Sequence, residues 1–227
     1  MEENNNAKIL YHGSRGGIVG DIKPISRERC DFGRGFYMGT NDLQAKTLVA
    51  NDPMPYFYKV SLDMSAFAEE QVLNLQDLDW AYFVLYNRNR MESIKGTAFY
   101  EKYKHLGDGK DIIIGPIVDD AMNETMKRFM DSQITDKAFL ESIRVLNYGI
   151  QYVAKTNYAC SKISIILEKD LHGKELSDAI ELSINQRRQG TELAEDIQKK
   201  YRREGQYFDE ILLDVSKKSP QIKDLKR

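Results

Sequence analysis

The chain has 227 residues, 41% of them hydrophobic and 30% charged, with a net charge of -2. These are the values of an ordinary globular protein long enough to bury a sizeable core. A balance this close to neutral excludes a global attraction to nucleic acid or anionic lipid, so any such partner would have to use a local patch. The opening M-E-E-N-N-N is acidic and polar where a secretion signal is basic and then apolar, and no apolar run reaches the length of a membrane span. A cytoplasmic protein is expected. Cys30 and Cys160 lack Cys-x-x-Cys spacing and nearby histidines, so inert thiols are expected and no metal site.

Lys8 to His12 (K-I-L-Y-H) reads as a first strand that stops at Gly13. A long loop follows, with Gly16, Gly17, Gly20 and Pro24, of the kind that tends to carry function. The stretch from Asp31 to Thr40, D-F-G-R-G-F-Y-M-G-T, sets three glycines among aromatics. Gly33 and Gly35 permit unusual backbone angles and let a ligand approach the main chain. Phe36-Tyr37-Met38 has the composition of a short buried strand, with Tyr37 offering a ring on which a flat group can stack. Thr40-Asn41-Asp42 caps a helix that runs to about Ala50 and is ended by Asp52-Pro53. Tyr56 to Leu62 alternates as a strand, with Tyr56, Tyr58, Val60 and Leu62 on one face.

Leu75 to Asn89 predicts a helix packed on the core, in which Trp80 and Tyr82 to Tyr86 are packing residues. Asp111 to Pro116 (D-I-I-I-G-P) is a buried strand closed by a Gly-Pro turn, and Asp119-Asp120 open a helix carrying Met122, Met126 and Phe129. Phe139, Leu140, Ile143 and Leu146 define a helix from about Thr135. Ile150 to Ala154 and Ile163 to Leu167 are strands. Beyond Lys169 the sequence is charged and helical: Ala179, Ile180, Leu182 and Ile184 fit one amphipathic helix, and Leu193 to Tyr201 begins another. Strands interleaved with helices, then helices alone, predict an α+β fold with a mixed-sheet domain over residues 1–168 and a helical C-terminal extension over 169–227. No Gly-x-Gly-x-x-Gly turn joins a strand to a helix, which disfavours a doubly wound nucleotide fold.

Three patches, His12-Gly13-Ser14, Phe32 to Tyr37 (F-G-R-G-F-Y) and the late strand G-I-Q-Y-V at Gly149 to Val153, together resemble the catalytic core of ADP-ribosyltransferases. The resemblance is to the diphtheria-toxin and poly(ADP-ribose) polymerase type. More closely, Y-H-G-S, D-F-G-x-G-F-Y with Gln-Ala following, and D-x-x-x-G-P-x-x-D-D are similar to a family of uncharacterised bacterial proteins grouped with that fold. The resemblance implies a split mixed β-sheet with flanking helices and NAD as substrate. It implies that His12 bonds a ribose hydroxyl, that Gly13 offers its backbone to the nicotinamide carboxamide with Ser14 supporting it, and that Tyr37 stacks on the nicotinamide ring. Gly35 would let the dinucleotide approach the loop. The activity implied is mono-ADP-ribosyl transfer to a macromolecular acceptor by a bacterial toxin, defence or effector protein, with an antitoxin or other protein as a further partner and no membrane.

Two departures bear on the chemistry. Ala45 and Leu48 stand where polymerase members carry a serine and a second stacking tyrosine, so nicotinamide mimics are expected to bind weakly. Gln151 precedes Tyr152 where the family places a glutamate. Breaking the nicotinamide–ribose bond develops positive charge on the ribose. A glutamine keeps the hydrogen bond but loses the charge, worth ~10²-fold in rate or roughly 3 kcal/mol. Transfer of single units or slow NAD hydrolysis is therefore expected rather than polymer synthesis. Asp31, Asp119 and Asp120 are candidates for a compensating carboxylate, and Gln151→Glu is expected to leave transfer equal or raise it. The rival expectation is a catalytically degenerate module that binds NAD, ADP-ribose or a protein partner without turnover.

Overall fold

The computed structural model of the protein describes residues 7–118 and 122–218. Its strands are β1 (Ala7–Arg15), β2 (Phe36–Gly39), β3 (Pro55–Asp63), β4 (Val72–Asn74), β5 (Ile112–Pro116), β6 (Ile150–Ala154) and β7 (Ile163–Asp170). They form one mixed sheet in the order β4-β5-β6-β2-β1-β3-β7, in which β4 and β5 run parallel and the other neighbours antiparallel. The helices are α1 (Asp42–Val49), α2 (Asp77–Asn87), α3 (Ala98–His105), α4 (Asn123–Met130), α5 (Asp136–Ile143), α6 (Asn157–Cys160), α7 (Gly173–Lys200) and α8 (Phe208–Lys218). The fold is α+β.

The sheet is held unevenly. β1 and β3 stay in register from Ala7↔Asp63 to Arg15↔Pro55, whereas β1 and β2 share the single pair Tyr11↔Gly39. The strands therefore diverge at the middle of the sheet and divide it into a β1-β3-β7 half and a β4-β5-β6-β2 half. The two faces of the sheet are packed separately. Phe32, Trp80, Phe83, Phe129, Phe139, Ile113 and Val153 form a large aromatic core between the sheet and the helices α2 to α5. Leu10, Phe36, Met38, Tyr58, Val60 and Leu62 form a second core on the opposite face.

Several elements differ from expectation for physical reasons. β1 does not stop at Gly13, because Gly13 and Ser14 remain paired with Phe57 and Tyr56. β4 has three residues, too few to show alternation. α3 is announced by Thr97, whose hydroxyl accepts the Tyr100 N–H at 3.2 Å, and it buries Phe99, Tyr100 and Tyr103. The helix expected to open at Asp119-Asp120 begins at Asn123 among the described residues and buries Met126 and Phe129, while Asp119 and Asp120 lie outside them.

The two C-terminal helices expected after Lys169 and from Leu193 are one helix of 28 residues, α7. A mid-helix glycine costs about 1 kcal/mol by propensity, but a Cβ at Gly190 would lie 2.7 Å from Leu146 Cδ1. Close packing decides the matter. The buried face of α7 is also not the aliphatic one: Ala179, Ser183, Gly190, Ala194 and Gln198 face inward while Ile184 is 61% exposed. Small residues let the helix lie close against α5 and α1.

Candidate functional site

The divergence between β1 and β2 opens a cavity of about 590 Å³. His12, Gly13 and Ser14 reach it from β1, Gly35 and Tyr37 from the loop and strand of β2, and Gln151 from β6. All six sequence-predicted residues line this one space. Tyr37 and Gln151 share a sheet face, because Tyr37 pairs with Val153 and Gly39 with Gln151 and side chains alternate along each strand. Gln151 lies between Gly39 on β2 and Gly115 on β5. The side-chain space at Gly115 is taken by Phe32 and Trp80, which approach a Cβ there to 2.8 and 3.1 Å.

His12 is oriented by the split itself. Its Nδ1 donates to the Tyr37 carbonyl at 2.7 Å, across the gap between the halves, and its ring stacks on Phe36 with centroids 4.2 Å apart. Burial pushes its pKa down to about 4, with the hydrogen bond to Tyr37 opposing that shift. At neutral pH the ring is therefore uncharged, and with the proton fixed on Nδ1, Nε2 is a bare acceptor. A hydroxyl donor suits it.

The Tyr37 hydroxyl donates to the Gly33 carbonyl at 2.7 Å and accepts from the Phe32 N–H at 2.9 Å. Burial, and after it the charge of Asp31, hold the phenol protonated well above its usual range. Tyr37 thus clamps its own glycine loop while its ring lines the cavity. Lys155 adds a second clamp through the Phe32 carbonyl, and burial pushes its pKa down to about 8. Gly33 sits at φ 71°, where glycine is favoured. Gly35 has a steric reason instead: a Cβ there would lie 2.4 Å from Val153 Cγ1. At Gly13 a Cβ would lie 2.3 Å from the Ala45 carbonyl of α1. Packing, rather than approach of a ligand alone, accounts for these two glycines. Ser14 Oγ donates to the Gly17 carbonyl at 3.1 Å and so fixes the start of the long loop.

Gln151 is buried, at 5% exposure, within an ionic network. Its Nε2 donates to Asp31 Oδ2 and to the Pro116 carbonyl, both at 2.9 Å. Asp31 Oδ1 accepts from Arg88 Nε at 2.8 Å, and the Arg88 guanidinium approaches the same oxygen to 2.6 Å. The Trp80 indole N–H also meets the Pro116 carbonyl, at 3.0 Å. Of the three carboxylates considered in sequence, Asp31 thus touches Gln151; Asp119 and Asp120 are outside the described residues.

Sequence reasoning missed part of the wall. Arg88 caps α2, which the left-handed Asn89 at φ 59° terminates, and nothing in N-R-N-R singles it out. Ser183, Gln186 and Arg187 come from α7, some 30 residues beyond the last motif. Leu48, 48% exposed, gives the α1 side an apolar surface, and Ala45 is buried beneath it. Among the described residues, Arg15, Lys23, Arg27, Arg29, Arg88 and Arg187 line the cavity against the carboxylates of Asp21 and Asp31. The cavity wall is thus locally basic although the chain as a whole is near neutral. Cys30 lies on the same wall as a free thiol, and Cys160 is buried away from it, burial pushing its thiol up to about 11.

A seven-stranded α+β protein with a split-sheet pocket is the class these features define. Over residues 8–165 the chain matches the family described as "Protein of unknown function (DUF3990)", and it belongs to that family. The matched span covers all three sequence patches. No curated protein and no solved structure matches the chain. Among the described residues no helix is long and apolar enough to cross a membrane.

Proposed function

We propose that this protein has an ADP-ribosyltransferase-like fold and transfers single ADP-ribose units from NAD to a macromolecular acceptor. The observation that carries the reading is the meeting of His12, Gly13, Tyr37 and Gln151, from three separate strands, around one cavity. Neutral His12 offers Nε2 to a ribose hydroxyl, and the Tyr37 ring lies where nicotinamide would stack. The basic lining suits a pyrophosphate. In the reaction the bond from C1′ of the ribose to the nicotinamide nitrogen breaks, and its electron pair leaves with neutral nicotinamide. The acceptor's lone pair closes on C1′ and its proton passes to solvent. Action as a bacterial toxin, defence or effector protein, held by an antitoxin or other partner, belongs to the same proposal.

Incubation of the protein with labelled NAD and cell extract tests it. Label transfer that His12→Ala abolishes is the expected result; wild type that neither transfers label nor releases nicotinamide would overturn the enzymatic reading. The absence of a carboxylate at position 151 favours a second reading as a module that binds NAD or ADP-ribose. That module would be stabilised against heat by NAD without product.

A further inference from the structure

The amide of Gln151 can be oriented from its neighbours alone. Asp31 Oδ2 and the Pro116 carbonyl are both acceptors, each 2.9 Å from the same amide atom. Turning the amide over would set its oxygen against two oxygens, so Nε2 faces inward by necessity. Among the described residues no donor meets Oε1, and Gln151 lines the cavity. The amide therefore presents its oxygen, the negative end of its dipole, to whatever binds there.

From this geometry we infer that Asp31 is the positioning residue of the site, a carboxylate on the glycine loop that fixes Gln151 as a hydrogen-bond acceptor. The inference rests on the transferase reading. With Nε2 tied to Asp31, Oε1 accepts the ribose 2′-hydroxyl as a glutamate oxygen would. The aligned dipole faces the positive charge that develops on C1′ as nicotinamide departs. Arg88 holds the other Asp31 oxygen, so the carboxylate cannot turn away. The arrangement also reverses the expectation that Gln151→Glu is harmless. A new carboxyl at 151 would meet the Asp31 carboxylate and the Pro116 carbonyl at the distance of a hydrogen bond. It could stay only by holding a proton between the two acids.

A swap of the pair tests this. Nicotinamide release from NAD is measured between pH 6 and 8.5 for wild type, Asp31→Asn, Gln151→Glu and the double variant, with NAD-dependent thermal stabilisation measured on each. Asp31→Asn frees the amide to turn and present N–H groups, and a loss of kcat of ~10²-fold is expected, with KM for NAD within about threefold. Gln151→Glu alone should be most active at the acid end, where the shared proton is retained, and fall as pH rises; wild type should show no such fall from this pair. In the double variant the new carboxylate accepts from the asparagine amide while the Pro116 carbonyl still opposes it, so a partial recovery, at least tenfold over either single variant, is expected. Losses that multiply in the double variant, or Gln151→Glu more active than wild type at every pH, would overturn the inference while leaving the transferase reading intact. Wild type with neither nicotinamide release nor NAD stabilisation sinks that reading and the catalytic role together. A melting-temperature cycle over the same four proteins then reports whether the pair is structural only.

Discussion

The two halves of the sheet supply opposite sides of the cavity by different physics. On the β1-β3-β7 half, His12 and Gly13 are placed by long register with β3 and by the close approach of α1, with no charged group involved. On the β4-β5-β6-β2 half, Gln151 is placed by a buried carboxylate, a guanidinium and a carbonyl. One side is placed by register, steric fit and a neutral hydrogen bond and the other mainly by buried charge, so the two should fail under different perturbations.

The largest effect is expected from Arg88→Met. It leaves the buried Asp31 carboxylate without its guanidinium, a loss of about 3–5 kcal/mol in stability measured by urea unfolding. Gly13→Ala attacks the other half. Its methyl would meet the Ala45 carbonyl at 2.3 Å, and overpacking of this kind costs about 1–3 kcal/mol; NAD response should fall with it as α1 is displaced.

His12 sharpens the contrast by pH. Its folded pKa, about 4, lies below the ordinary 6.5, so between those values the unfolded chain binds the additional proton. Stability should therefore rise with pH from about 4 to 6.5 and gain nothing further from this group above that. The increment is roughly 3 kcal/mol. Urea midpoints of wild type and His12→Gln across that range should diverge toward acid, with the variant less acid-sensitive. The smallest change expected is in Leu48→Tyr, which adds a ring to the α1 wall of the cavity. Nicotinamide affinity measured by titration should rise by about 3- to 10-fold, the scale of one aromatic contact.

The same division explains what could be read from sequence. Strands β1, β2, β3, β5 and β6 announce themselves by apolar and aromatic runs bounded by glycine or proline, and the three motif patches carry His12, Tyr37 and Gln151. These are local signals. The Asp31–Gln151 contact joins positions 120 residues apart, and Asp31 was visible only as one carboxylate among three. Arg88 gains its place beside that carboxylate at the end of α2, which Asn89 terminates. The expectation of two helices rested on two separate apolar patterns, around Ala179 to Ile184 and from Leu193; the neighbour that fits Gly190 between them, Leu146, is 44 residues away. Its inward face of small and polar residues is invisible to a search for aliphatic periodicity.

The place of α7 bears on how this family is handled at the bench. The matched span ends at residue 165, inside β7 and before α7 begins. A chain trimmed to that span would shorten the edge strand, strip Ser183, Gln186 and Arg187 from the cavity rim, and bare the side chains of Leu146 and Met122 that Gly190 now covers. Ligand screens on such a fragment would sample a wider, less basic and stickier vessel than the one this chain carries with α7 in place.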